Sequence, residues 1–151
     1  MNAPADDASL YISPIEDPDR PAVIALWQRC GLTRPWNDPA ADIALARRRP
    51  NSTVLVGREG ASIVATAMVG HDGHRGWVYY VAVDPDRRGR SHGRTIMQAC
   101  EDWLRWAGIA KLQLLVRREN TTAGAFYQSL GYAESQSIMF AKWLDGREPT
   151  P

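Results

Sequence analysis

Residues 77–108 constrain the fold of this chain most. "WVYYVAV" at 77–83 is an unbroken β-prone run, and "DPDRRGRSHG" at 84–93 is a turn dense in arginine, glycine and proline. The segment that follows carries Ile96, Cys100, Trp103, Leu104 and Ala107 on one helical face and stops at Gly108. β-branched and aromatic residues suit a pleated surface, whereas apolar residues three and four apart suit a helix with one buried face. A strand that turns into an amphipathic helix places the chain among folds with helices laid on a sheet.

The remaining segments extend that pattern. "LYISPI" reads as a first strand. "DRPAVIALWQRCG" reads as a helix, with Pro21 suited to its first turn and Gly31 to its stop. "DPAADIALARRRP" is a second, shorter helix closed by Pro50, and "STVLVGREGASIVATAMVG" is a hairpin. After the helix ending at Gly108 come a strand "KLQLLV", a short helix "TTAGAFYQSLG" and a final strand "SIMFAKWL". The order β-α-α-β-β-β-α-β-α-β predicts a mixed α/β (α+β) chain with a central sheet and helices on its faces. A length of 151 residues fits one domain over 9–145, with flexible tails at 1–8 and 146–151.

Charge narrows the function classes. The formal net charge is +1, so no global field draws the chain to nucleic acid or to an anionic membrane. Neither is expected as a partner. No apolar stretch approaches the roughly 20 residues a membrane span needs, and the N-terminus lacks the features of a signal peptide. The cytoplasm is the expected compartment. Cys30 and Cys100 show no metal or redox spacing and read as buried thiols, while His71 and His74 lack a third ligand, so no metal is expected. Six tryptophans are many for this length, and several are expected to line the core or a pocket.

The turn at 84–93 carries its own chemistry. A helix N-terminus offers unpaired N–H groups and the positive end of its dipole. Glycines let the backbone approach phosphate oxygens, and Arg87, Arg88, Arg90 and Arg94 can pair with more of them. Donors converging on one point suit a diphosphate better than a duplex. Neither a G-x-G-x-x-G fingerprint nor a Gly-Lys-Ser/Thr ending is present. A plain solvated turn is the bland alternative.

"VAVDPDRRGRSHGR" followed by "RRENTTAGAFYQSLGY" resembles the GCN5-related N-acetyltransferases (GNAT family). Their N-x-x-A-x-x-F-Y-x-x-x-G-F/Y pattern is met by Asn120, Ala123, Phe126, Tyr127, Gly131 and Tyr132. Their pyrophosphate pattern Q/R-x-x-G-x-G/A reads here Arg88-x-x-Ser91-x-Gly93, with serine for the first glycine. "LWQRCGLTRPWNDP" and "GHDGHRGWVYY" further resemble the YpeA-type subgroup. The resemblance implies a mostly antiparallel sheet splayed beside its fourth strand, and acetyl-CoA as cosubstrate. It implies that Val81 and Val83 present backbone groups to the pantetheine arm and acetyl carbonyl. Arg88, Gly89, Arg90, Ser91, Gly93 and Arg94 would hold the pyrophosphate, with Asn120 and Phe126 also on the cofactor side. Serine at 91 is a good helix N-cap, and its hydroxyl can donate to phosphate.

Transfer to an amine needs a free amine near the thioester, donors for the developing oxyanion and a proton for the departing thiolate. Tyr127 stands at the family's general-acid position. No base is evident, because the positions where relatives carry glutamate correspond to Trp77 and Leu115. His74 is the candidate base, with Asp72 and Glu134 as further candidates, and an amine already deprotonated in solution is the alternative. Trp36, Asn37 and Asp38 in "RPWNDP", with Tyr80, are the acceptor-side candidates; equally, Trp36 covers the core edge and Asn37 or Asp38 caps the second helix. The expected activity is direct acetyl transfer to a primary amine, a small molecule rather than a protein N-terminus or lysine because no acidic run is present. A non-catalytic acyl-CoA-binding module is the rival. An exposed final strand would allow a homodimer.

Overall fold

The computed structural model describes residues 9–149, so the tail expected at 1–8 and the last two residues of the one expected at 146–151 fall outside the described residues. The chain comprises two compact units, Met1–Leu115 and Val116–Pro151. The first holds β1 (Tyr11–Pro14), α1 (Arg20–Arg29), α2 (Pro39–Arg47), β2 (Ser52–Glu59), β3 (Ser62–His71), β4 (Gly76–Val83), α3 (His92–Trp106) and β5 (Leu112–Gln113). Short 3-10 turns precede α1 (Asp17–Asp19) and α3 (Pro85–Arg87). The second unit holds α4 (Thr121–Ser129).

The strands lie in chain order, β1-β2-β3-β4-β5, antiparallel except for the parallel β4–β5 pair. Runs of four buried residues, 54–57 in β2 and 64–67 in β3, point to both faces in alternation, so both faces of the sheet are covered. Val23, Leu26 and Trp27 of α1 and Ile43 and Ala46 of α2 pack with Val54, Val56 and Ala82 on one face. Ile96, Met97, Cys100 and Leu104 of α3 are buried where that helix packs on β3, β4 and β2. Gly76 opens β4 beneath Leu104: a Cβ there would collide with Leu104 Cδ1. The mixed, mostly antiparallel sheet with helices on both faces agrees with the expectation from sequence.

Two expectations change. The final strand over 137–144 does not form; Ile138, Met139, Phe140 and Leu144 are exposed, and none joins a ladder among the described residues. β-propensity is the fit of a side chain to neighbouring strands, and a run without a paired neighbour gains nothing from it. "KLQLLV" contracts to Leu112–Gln113, because only Gly76 and Trp77 of β4 pair with it. The tryptophans divide: Trp27 is fully buried, with its Nε1–H donating to Thr66 Oγ1 at 2.8 Å, whereas Trp106 is 94% exposed.

Candidate active site

Beyond Trp77, β4 has no ladder with β5, and among the described residues the edge over residues 78–83 faces no partner strand. On its other edge, β4 carries a bulge. Thr66 faces Ala82 and Met68 faces Tyr79, which leaves Ala67 opposite both Tyr80 and Val81. Tyr80 takes the extra turn with φ of 52°, in the left-handed region that bulky residues rarely enter. Its surroundings hold it there. The ring stacks on Trp27 at 3.8 Å with 5° between planes, its carbonyl accepts from Thr66 Oγ1 at 3.0 Å, and its hydroxyl donates to Asp42 Oδ2 at 2.7 Å. Burial, then the bond to Asp42, push the Tyr80 phenol well above its ordinary value.

The turn after β4 is anchored by Asp84, whose N–H donates to Val64 O and whose Oδ1 accepts from Asp86 N–H at 2.9 Å. Arg29 pairs with its other oxygen at 2.8 Å. Burial pushes Asp84 up, but the Asp86 N–H and the Arg29 guanidinium outweigh it and leave the carboxyl below its ordinary value. Gly89 follows with φ of 82°, and Ser91 stands at the N-cap of α3 with φ of 62° and ψ of 19°. A left-handed backbone costs a non-glycine residue about 1 kcal/mol.

The capping expected of Ser91 is not made. An N-cap side chain reaches the first-turn amides from an extended backbone, which Ser91 does not have, and it forms no side-chain cap bond. The first α3 bond from this segment runs from Thr95 N to Ser91 O. The amides of His92, Gly93 and Arg94 therefore lack an intrahelical carbonyl. Two loop arginines face a carboxylate: Arg87 Nη1 lies 3.0 Å from Glu59 Oε2, and Arg90 Nη1 lies 3.1 Å from both Glu59 oxygens. His92, 2% exposed, also meets Glu59 through Nε2. The bond from His92, aided by Arg90 and Arg87, holds the Glu59 carboxyl below its ordinary value in spite of partial burial. Arg88 and Arg94 are exposed and form no salt bridge among the described residues.

Glu59 and Asp42 carry no signal in the sequence, since neither lies in a local pattern with the residues it meets. His92 has a readable one that the sequence reading missed: with Ile96, Cys100 and Leu104 it forms an i, i+4 series, a polar residue on the stripe that the helix buries.

In the segment expected on the acceptor side, Asp38 Oδ1 accepts from Ala40 and Ala41 N–H at 3.0 and 3.2 Å and so caps α2, one of the two roles its sequence context allows. Trp36 is half-buried, and Asn37 is exposed. His74 is exposed in the turn before β4, at the far end of that strand from the arginine loop. Asp72 is occupied by that turn: Oδ1 accepts from the N–H groups of His74 and Arg75, and the Arg75 bond leads in lowering its carboxyl.

Within the second unit, Asn120 Oδ1 accepts from Ala123 N–H at 3.1 Å and caps α4. Phe126 meets Tyr127 edge-on at 5.0 Å, and Tyr127 meets Tyr132 at 6.0 Å. Glu134 borders a hollow of about 500 Å³ with Arg118, Ser135, Gln136, Ser137 and Ile138.

The model of the acetyltransferase (GNAT) family matches residues 15–132, spanning the arginine loop, α3 and α4. The chain is 38% identical over 135 residues to an acetyltransferase of Yersinia enterocolitica, covering 89% of this chain and 96% of the relative. Among solved structures, it resembles the ribosomal-protein-S18-alanine N-acetyltransferase of Escherichia coli (26% identity, TM-score 0.72, 92% of this chain and 88% of that one). The fold is also that of AAC(6')-Iy, solved with the bisubstrate analogue CoA-S-monomethyl-acetylneamine (15% identity, TM-score 0.77, 89% and 98% covered).

Proposed function

From the premise that this chain belongs to the GNAT acetyltransferase family and is an acyltransferase, we propose that it moves an acetyl group from acetyl-CoA to a primary amine, by direct attack in a ternary complex. One observation carries the reading. Among the described residues, an uncapped helix start, flanked by Arg88 and Arg94 with no salt bridge, stands at the end of a β4 edge that no strand covers. That combination fits the cosubstrate in two ways. The backbone edge at Val81 and Val83 is the place for an amide-bearing arm in the manner of an added strand, with Val83 O also accepting from the Cys30 thiol at 3.3 Å. The amides from Arg88 to Arg94, with those of His92, Gly93 and Arg94 left without an intrahelical carbonyl, are the place for a diphosphate. AAC(6')-Iy, which shares the fold, was solved with a CoA-bearing analogue.

Acetyl-CoA supplies the activated acyl group. The family resemblance assigns backbone groups of Val81 and Val83 to the pantetheine arm and the acetyl carbonyl, Asn120 and Phe126 to the cofactor side, and the Tyr127 hydroxyl to protonation of the departing sulfur. With the acetyl group at Val81, the five-residue run back to Gly76 at ~3.3 Å per residue puts the start of β4 about 15 Å away, and His74 lies in the turn before it. The reading therefore takes the amine already deprotonated from solution. On the acceptor side, the aromatic rings of Trp36 and of Tyr80, whose hydroxyl is held by Asp42, are the surfaces we assign to a small amine. A protein N-terminus is the second reading for the acceptor. It is favoured by the likeness to an enzyme named for the alanine of ribosomal protein S18.

Calorimetric titration of acetyl-CoA, beside a pantetheine thioester lacking the diphosphate half, tests the cosubstrate. Saturable binding that requires the diphosphate is expected, and no binding at millimolar ligand would withdraw the proposal. Turnover on a panel of small amines and of N-terminal peptides then separates the two acceptors.

A further inference from the structure

Ser91 holds a left-handed backbone although it has a Cβ, and the two residues beside it reach the same carboxylate. Arg90 meets both oxygens of Glu59, and His92 meets Oε1. Glu59 belongs to another part of the fold: it ends β2 at the hairpin, 31 residues before Arg90. Its carboxyl is ionised near neutral pH and accepts only, so the buried His92 ring presents Nε2–H to it. An imidazole buried on the apolar stripe of α3 requires that partner, because a buried polar group without a hydrogen bond is costly. Glu59 thus ties down the residues on either side of the strained position, and it fixes the first residue of α3.

Resting on the reading of this loop as the acetyl-CoA diphosphate site, we propose that Glu59 is a positioning residue for it. It clamps Arg90 and His92, keeps Ser91 left-handed and aligns the first-turn amides of α3 for the anion. The clamp performs for serine what a glycine's freedom would do unaided. Charge alone predicts the opposite sign for removal of Glu59. Deleting a negative group among four loop arginines should strengthen anion binding, whereas deleting a clamp should weaken it.

The test compares the parent chain, Glu59→Ala, Ser91→Gly and the double variant. Glu59→Ala is expected to raise the acetyl-CoA Kd and KM by about tenfold, with kcat within threefold. In the Ser91→Gly background the same change should cost no more than about threefold, because glycine needs no clamp. Tighter binding by Glu59→Ala, or an equal loss in both backgrounds, would overturn the proposal. Glu59→Gln, which keeps the shape, serves if the alanine variant does not fold. Amide hydrogen exchange of the ligand-free proteins provides a readout independent of acetyl-CoA. Faster exchange at residues 92–95, with the β2–β3 hairpin unchanged, is expected, and unchanged rates at 92–95 would overturn the clamp. If acetyl-CoA fails to bind the parent chain, the proposed function falls, while exchange still decides the clamp.

Discussion

Tyr127→Phe removes one oxygen from a helix whose neighbouring rings, Phe126 and Tyr132, stay in place. If its hydroxyl supplies the proton for sulfur, kcat should fall by about 100-fold with acetyl-CoA KM nearly unchanged. Steady-state kinetics check it, and a KM effect with intact kcat would move Tyr127 from chemistry to binding. His74→Ala in the same assay should stay within about twofold, as suits an exposed turn residue remote from Val81. Tyr80→Phe deletes the bond to Asp42 while keeping the stack on Trp27, and urea denaturation should show a loss of about 1 kcal/mol. Tyr127 and Ser91 are singled out by the sequence alone, since each stands in a spaced pattern. Glu59 is not, because its partners lie 28 to 33 positions away.

Elements are legible wherever local chemistry sets their limits. Pro39 in the first turn and the Asp38 cap begin α2, and the β2–β3 hairpin turns at Gly60. Legibility fails for the C-terminal strands, whose existence depends on a neighbour's ladder rather than on their own residues. The helix α3 shows both sides. Its apolar stripe is readable, but its approach to β4 depends on the absence of a side chain at Gly76. Gly76→Ala should therefore destabilise by about 1–3 kcal/mol, measured by the midpoint of urea unfolding, because Leu104 has to move or leave its rotamer. An alanine at an exposed, unstrained helix position would cost a few tenths at most.

For the whole molecule, ligand and pH act through linkage. A ligand that binds only the folded chain at 100 times its Kd stabilises by ~2.7 kcal/mol, which for a chain of this size raises Tm by about 5–10 °C. A thermal-shift series should show this for acetyl-CoA and not for the thioester without its diphosphate. Asp84, Glu59 and Asp19 all have carboxyls held below their ordinary values in the folded chain. The unfolded chain then binds more protons through the acid range, so their stabilisation is complete above the ordinary carboxylate value of about 4 and is lost as pH falls through the lowered folded values. Tm between pH 7 and pH 2 should stay level at first and fall only below about pH 5.

The alternation of period-two and period-3.6 runs, with its caps and stops, determined by itself that this chain builds helices on a sheet. The spaced motifs determined its family likeness, because such signals act within a few residues of one another. Three features were decided only by the tertiary structure: where the β4 edge loses its partner, which residue takes the bulge, and which carboxylate meets the arginine loop. Each depends on groups that are distant in sequence, and proximity of that kind exists only once the sheet has assembled.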